Sequence, residues 1–143
     1  MEYQNNITLK FPSLSENESF ARSVVAIFAL KLNPSVSQIS DLKTAVSEAV
    51  TNCIVHGYPT SVGEITLNAK IEKDTIHINI IDEGVGIDNL ERALEPFFTT
   101  KEDDERSGMG FTIMKSFMDK VEVSSSKGDG TKIYMCKKLT PNE

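Results

Sequence analysis

The sequence predicts an α+β fold, a two-layer sandwich in which a mixed, mostly antiparallel sheet carries helices on one face. Three observations point there. Segments of period-two and period-3.6 hydrophobicity follow one another in the order β-α-α-β-β-loop-α-β-β. Strands come in neighbouring pairs joined by short turns, without the strict strand-helix alternation of a doubly wound fold. The chain has 143 residues, 39% hydrophobic and 25% charged, which suits one globular domain with a sizeable core. No repeat or low-complexity linker divides it, so residues 1–143 are read as a single domain.

Each element has its own signal. Ile7, Leu9 and Phe11 alternate with Thr8 and Lys10, the mark of a strand with one buried face. Ser15 and Glu18 have capping-box spacing and open a helix to about Leu32, which Asn33-Pro34 stops. A second helix covers about 37–56, with Gly57 expected in a left-handed closing turn. Ile65, Leu67, Ala69 and Ile71 alternate, Lys73-Asp74 turns, and Ile76, Ile78 and Ile80 lead to Asp82, giving a hairpin. A short helix is expected over 89–94 and a third long helix over 108–119. Val121 and Val123, then Ile133, Tyr134 and Met135, form two last strands around the turn 127–130.

Charge and composition exclude several classes. A formal charge of −6 argues against nucleic acid, which wants a basic face; a basic protein partner fits better. The longest apolar run, 24–30, is seven residues, far below the ~20 that span a bilayer, so no membrane partner is expected. Met-Glu-Tyr-Gln-Asn-Asn shows no signal-peptide pattern. Cys53 and Cys136 lie outside any metal spacing and are read as buried free thiols in a reducing cytoplasm.

Three short motifs carry chemistry. In Ser47-Glu48-Ala49-Val50-Thr51-Asn52, Glu48 and Asn52 stack four apart on the rim of a core stripe made by Leu42, Val46, Ala49, Val50 and Cys53. Such a pair is either a solvated helix edge or the wall of a cleft, where the carboxylate can take a proton and the amide oxygen can bind Mg²⁺. Asp82-Glu83-Gly84-Val85-Gly86 ends an apolar strand. It is either an acidic turn or a carboxylate for an exocyclic amine, with glycines that admit a planar ring. Arg106-Ser107-Gly108-Met109-Gly110-Phe111 opens the third helix, whose free N–H groups suit an anion. Neither a Rossmann nor a P-loop pattern is present.

Each motif is weak alone, but their order is not. Glu-x-x-x-Asn, Asp-x-Gly-x-Gly, a flexible stretch, Gly-x-Gly-Phe and Gly130-Thr131 before a strand resemble the ATP site of the GHKL superfamily, over 48–131. The wording around His56-Gly57-Tyr58, Pro96-Phe97-Phe98-Thr99-Thr100-Lys101 and Arg106 to Thr112 is similar to the anti-sigma-factor serine kinases. There the likeness covers nearly the whole chain, including Asn17-Glu18-Ser19-Phe20-Ala21-Arg22.

The resemblance implies a GHKL-type ATP-binding fold and assigns roles. Glu48 would be the general base and Asn52 the Mg²⁺ ligand. Asp82 would hold the adenine amino group, with Gly84, Gly86 and Thr131 beside the base. Residues 88–107 would form an ATP lid with Thr99, Thr100 and Lys101 near nucleotide. Arg106, Ser107, Gly108, Met109, Gly110 and Phe111 would surround the phosphates. Implied ligands are ATP or ADP with Mg²⁺. Implied partners are a sporulation sigma factor, an anti-anti-sigma protein as serine substrate, and a second copy in a homodimer. Two alternatives stand beside this: a non-catalytic, nucleotide-gated sigma-binding module, or a detached histidine-kinase catalytic domain.

Smaller features keep plainer readings. Glu18 and Arg22 form an i,i+4 pair, either a surface ion pair or a partner contact. His77 is read as an exposed strand residue and His56 as structural, at a helix end. Phe97-Phe98 is core packing or a lid latch, and Met109, Met114 and Met118 are helix core. Residues 88–107 hold seven acids and three bases, net −4 of the total −6, so the excess charge sits on the expected lid. Glu102 to Glu105 is expected to face solvent or a partner, with Lys101 and Arg106 facing the phosphates.

Overall fold

The computed structural model describes residues 4–87 and 105–141, and for 105–109 the backbone alone. The chain runs β1 (Gln4–Pro12), α1 (Glu16–Ala29), a 3-10 turn (Leu30–Leu32), α2 (Val36–Asn52), a π turn (Cys53–Gly57), β2 (Glu64–Glu72), β3 (Thr75–Asp82), α3 (Glu105–Phe117), β4 (Lys120–Ser125) and β5 (Thr131–Lys138). The strands form one sheet of five in the order β1-β2-β3-β5-β4. Every described ladder is antiparallel, the sense expected to dominate. The short helix expected over 89–94, Phe97-Phe98 and the acidic run 102–104 lie outside the described residues.

Alternation along the strands decides which face is covered. Ile65, Leu67, Ala69 and Ile71 of β2 and Ile76, Ile78 and Ile80 of β3 are fully buried, and each contributes roughly 1.5–3 kcal/mol if it is a large aliphatic. They join Val25, Leu42, Val46, Val50 and Met114 from the helices in one core. The other face is polar, with half-buried Asn68, Asn79 and Tyr134 and exposed Lys132 among its residues. The helices therefore pack on one face, with α2 between α1 and α3.

Helix ends differ from the sequence expectation for local reasons. Ser15 is already helical, at φ −53° and ψ −37°, and makes no side-chain cap. Its expected partner Glu18 is instead engaged by Arg22 and Ser47. The true capping box opens α2, where Ser35 Oγ accepts from Gln38 N–H and Ser35 N–H donates to Gln38 Oε1. Gly57 is not left-handed; the positive-φ glycines are Gly86, Gly128 and Gly130. Asn33 takes the left-handed position instead, at φ 50°, and ends the first helical run. α3 begins at Glu105 rather than Gly108, with an acidic residue at the positive end of its dipole. At its other end Lys137 Nζ donates to Phe117 O at 2.7 Å, a cation on a free terminal carbonyl.

The thiols and histidines also sort by face. Cys53 is buried and free as expected, but Cys136, also free, is only half-buried, because position 136 points to the polar face of β5. His77 is half-buried rather than exposed, its Nδ1 lying 2.7 Å from Tyr134 Oη. Among the described residues no helix is long and apolar enough to cross a membrane.

The two serines give a paired test of capping. Ser35→Ala should destabilise the fold by ~1 kcal/mol in urea denaturation, whereas Ser15→Ala should stay within about 0.5 kcal/mol of the parent.

Candidate functional site

Three backbone segments converge at the end of β3: the π turn after α2, the loop after Asp82, and the turn before β5. Val85 N–H donates to Gly57 O at 2.9 Å, and Gly128 N–H to Val85 O at 2.6 Å. Their approach leaves no room for side chains. A Cβ at Gly84 would lie 1.9 Å from Gly57 O, and one at Gly130 would lie 2.2 Å from Asp82 O. Gly86 and Gly130 also need positive φ, 74° and 75°.

Asp82 sits at the meeting point and is 2% exposed. Its Oδ1 accepts Gly84 N–H at 2.9 Å, while Oδ2 is buried with no hydrogen-bond partner. Oδ2 lies over Gly57, where a Cβ would come within 2.7 Å of it. Burial raises the carboxyl pKa above its ordinary value, and hydrogen bonds from Gly84, Cys53 and Thr131 pull part of that back. The Cys53 thiol is pushed well up, first by its own burial and then by the Asp82 charge, so it stays a protonated donor. An unsatisfied buried carboxylate oxygen costs at least ~1–3 kcal/mol, which a ligand N–H would recover. That is the chemistry of an exocyclic amine on a planar ring. Thr131, paired with Asp82 across the sheet, is buried, and its Oγ1 lies 2.8 Å from Ser125 Oγ.

Glu48 marks the other end of the site. It is 7% exposed, deeper than the rim position expected from helix geometry, because α2 is covered by helices on both sides. A Cβ at Gly110 would lie 3.5 Å from Glu48 Oε2, so the carboxylate sits beside the second turn of α3. Asn52 is one turn further along α2, half-buried, at the start of the π turn that leads to Gly57. Phe111 points into the core, leaving only its backbone to face a ligand. Met114 and Met118 are core as expected.

On its other side Glu48 lines a cleft of about 460 Å³ with Arg22, Lys43 and Ser47. Arg22 pairs with Glu18 at 3.1 Å and lies 3.5 Å from Ser47 Oγ, which also bonds Glu18. The structure thus joins Arg22 and Glu48 along one cleft, with Glu18 bonded to its lining residues Arg22 and Ser47, and Asp82, Gly84, Gly86 and Thr131 at another point. Thr99, Thr100 and Lys101 lie outside the described residues, as do the side chains of Arg106, Ser107 and Met109; Gly108 contributes backbone in the first turn of α3. The sequence reading missed Cys53 and Tyr58 as neighbours of Asp82. The only available signal was their place in the run from Asn52 to Tyr58.

The raised Asp82 pKa sets a pH dependence. Its folded value exceeds the unfolded ~3.9, so its contribution to stability is intact below that pH and declines as pH rises through the folded value. Asp82→Asn does not titrate. Its stability relative to the parent, measured by urea denaturation across the acid range without nucleotide, should therefore improve as pH rises toward the folded value and level off above it.

Comparison with known proteins supplies the family and supports the fold. Residues 11–137 match the family model of the histidine kinase-like ATPase domain. An anti-sigma F factor of Thermoanaerobacter sp. is 56% identical over 137 residues, 96% of each chain. That of Caldanaerobacter subterraneus subsp. tengcongensis is 54% identical over 142 residues, 99% of each. Among solved structures, the RsbU and RsbW domains of a Mycobacterium tuberculosis protein superpose with a TM-score of 0.67 at 17% identity, covering 94% of this chain and 32% of that one. The catalytic domain of the histidine kinase ThkA gives 0.58 at 17% identity, covering 94% and 97%. With its ATPase-domain match and more than half its residues shared with these relatives across nearly their full length, the chain belongs to the anti-sigma F factor family of histidine kinase-like ATPase domains.

Proposed function

We propose that the chain binds and inhibits a sporulation sigma factor and uses Mg-ATP to phosphorylate a serine of an anti-anti-sigma protein. The position of Glu48 carries this reading. Its carboxylate lies beside α3, and the residue also lines the cleft that holds Arg22 and Lys43. A hydroxyl brought in by a protein partner through the cleft could meet a phosphate held at α3. Glu48 then accepts the serine proton as the serine oxygen attacks the γ-phosphorus, the bond to the β,γ-bridging oxygen breaks, and ADP leaves.

The adenine amino group fits the free Oδ2 of Asp82, with Gly84, Gly86 and Thr131 around the base. Among the described residues no group of three His, Cys, Asp or Glu side chains could hold a metal ion. Asn52, half-buried one turn beyond Glu48, would offer Mg²⁺ a single hard oxygen ligand, a donor set that leaves the rest of the shell to phosphate and water. Bound there, Mg²⁺ would neutralise charge on the phosphates. Thr99, Thr100, Lys101, Arg106, Ser107 and the Gly108–Phe111 backbone would face the triphosphate, with 88–107 as lid. Glu18 and Arg22 would touch the protein partner at the cleft mouth, and the working unit would be a cytoplasmic homodimer.

Labelled ATP, Mg²⁺ and the anti-anti-sigma protein provide the test. The parent should yield an acid-stable phosphoserine product. Glu48→Gln should lower kcat by ~10²–10⁴ with nucleotide binding retained. An acid-labile product would point to histidine transfer, and sigma capture with no product would leave only a binding module. Undiminished transfer in the variant would remove Glu48 as the base.

A further inference from the structure

The loop that carries Asp82 is held from outside by one phenol. Tyr58 follows the π turn, and its N–H closes that turn on Cys53 O at 3.0 Å. Its Oη accepts Glu83 N–H at 2.7 Å and donates to Glu64 O at 2.7 Å. The hydroxyl thus ties the residue after Asp82 to the first residue of β2, using both its donor and its acceptor. The ring is seated flat on Gly63, where a Cβ would come within 2.1 Å of Tyr58 Cε1. Gly63 is itself fixed, since its N–H bonds Ser13 Oγ at 3.0 Å and its carbonyl accepts Ser13 N–H at 2.8 Å.

We infer that Tyr58 is a positioning residue for base selectivity: its hydroxyl fixes the loop after β3 so that the free Asp82 oxygen meets the 6-amino group of a purine. This deepens the proposed function and rests on its assignment of Asp82. Glu83 N–H and Gly84 N–H are consecutive donors, one held by Tyr58 and the other by Asp82 Oδ1. Freeing the first allows the peptide to rotate and take the second with it. The carboxylate then loses the bond that keeps Oδ2 turned over Gly57. The phosphate end, built from α2 and α3, is untouched by this contact. Burial raises the phenol pKa, so the donor persists at neutral pH and above.

The test compares ATP with inosine triphosphate, which carries a 6-oxo group in place of the amine. Binding of each with Mg²⁺ is measured by calorimetry on the full chain and on Tyr58→Phe, with circular dichroism to show folding. The variant should lose ~5- to 50-fold in ATP affinity and much less for inosine triphosphate, so the preference contracts. In phosphotransfer the loss should fall on KM for ATP and not on kcat. Gly63→Ala, which unseats the ring but keeps the hydroxyl, should shift the preference the same way and replaces Tyr58→Phe if that variant does not fold. No preference in the parent overturns the reading of Asp82 and this inference with it. A parental preference that survives unchanged in the folded variants, or an equal loss for both nucleotides, overturns the inference alone.

Discussion

The site depends on one buried carboxylate with one oxygen left over. Asp82 ends an apolar strand whose other inward residues are isoleucines, so the fold delivers a charge to the edge of its own core. Only 2% of the residue is exposed there, and the protein answers with partial compensation: Gly84 N–H bonds Oδ1 while Oδ2 stays without a partner. Complete compensation would make a more stable protein, whereas the proposed role of Asp82 needs an acceptor left open. Three chain segments are drawn in around this point, and their mutual approach leaves Gly57, Gly84, Gly86 and Gly130 no room for side chains.

The second constraint is the crowding of α2. Lying between α1 and α3, it buries Ser47 and Glu48 along with its aliphatic stripe. Crowding turns an ordinary helix carboxylate into one with defined neighbours on two sides. It also links the surface of α1 to Ser47, the neighbour of Glu48, through the contacts of Glu18 and Arg22.

Much of this was readable from sequence. Alternation located β2 and β3 and their inward faces, and it placed Asp82 at a strand end. Spacing put Glu48 and Asn52 on one helix face. What escaped depends on tertiary neighbours. Helical periodicity places Glu48 on a rim because it cannot see a second helix covering that rim. The Ser15 pattern satisfied the capping-box rule, yet Glu18 found stronger partners in Arg22 and Ser47. The Ser35–Gln38 box obeyed the same rule and was overlooked beside Pro34. His77 was misjudged because β3 and β5 pair and the pairing shields it on the open face, and Cys136 because its place in β5 turns it to that same open face instead of the core.

The glycines at the base of the site impose a one-sided limit on evolution. Most positions in a protein can drift by small exchanges, a methyl gained here and lost there. Glycine has nothing smaller to exchange with, so every single-codon change at Gly84 or Gly130 adds atoms where carbonyl oxygens already stand within 2.2 Å. Relief would require two chain segments to retreat together, and that retreat would break the bonds that link Gly57, Val85 and Gly128. The rest of the surface can wander with its partners, while this corner keeps its shape because it has no nearby alternative.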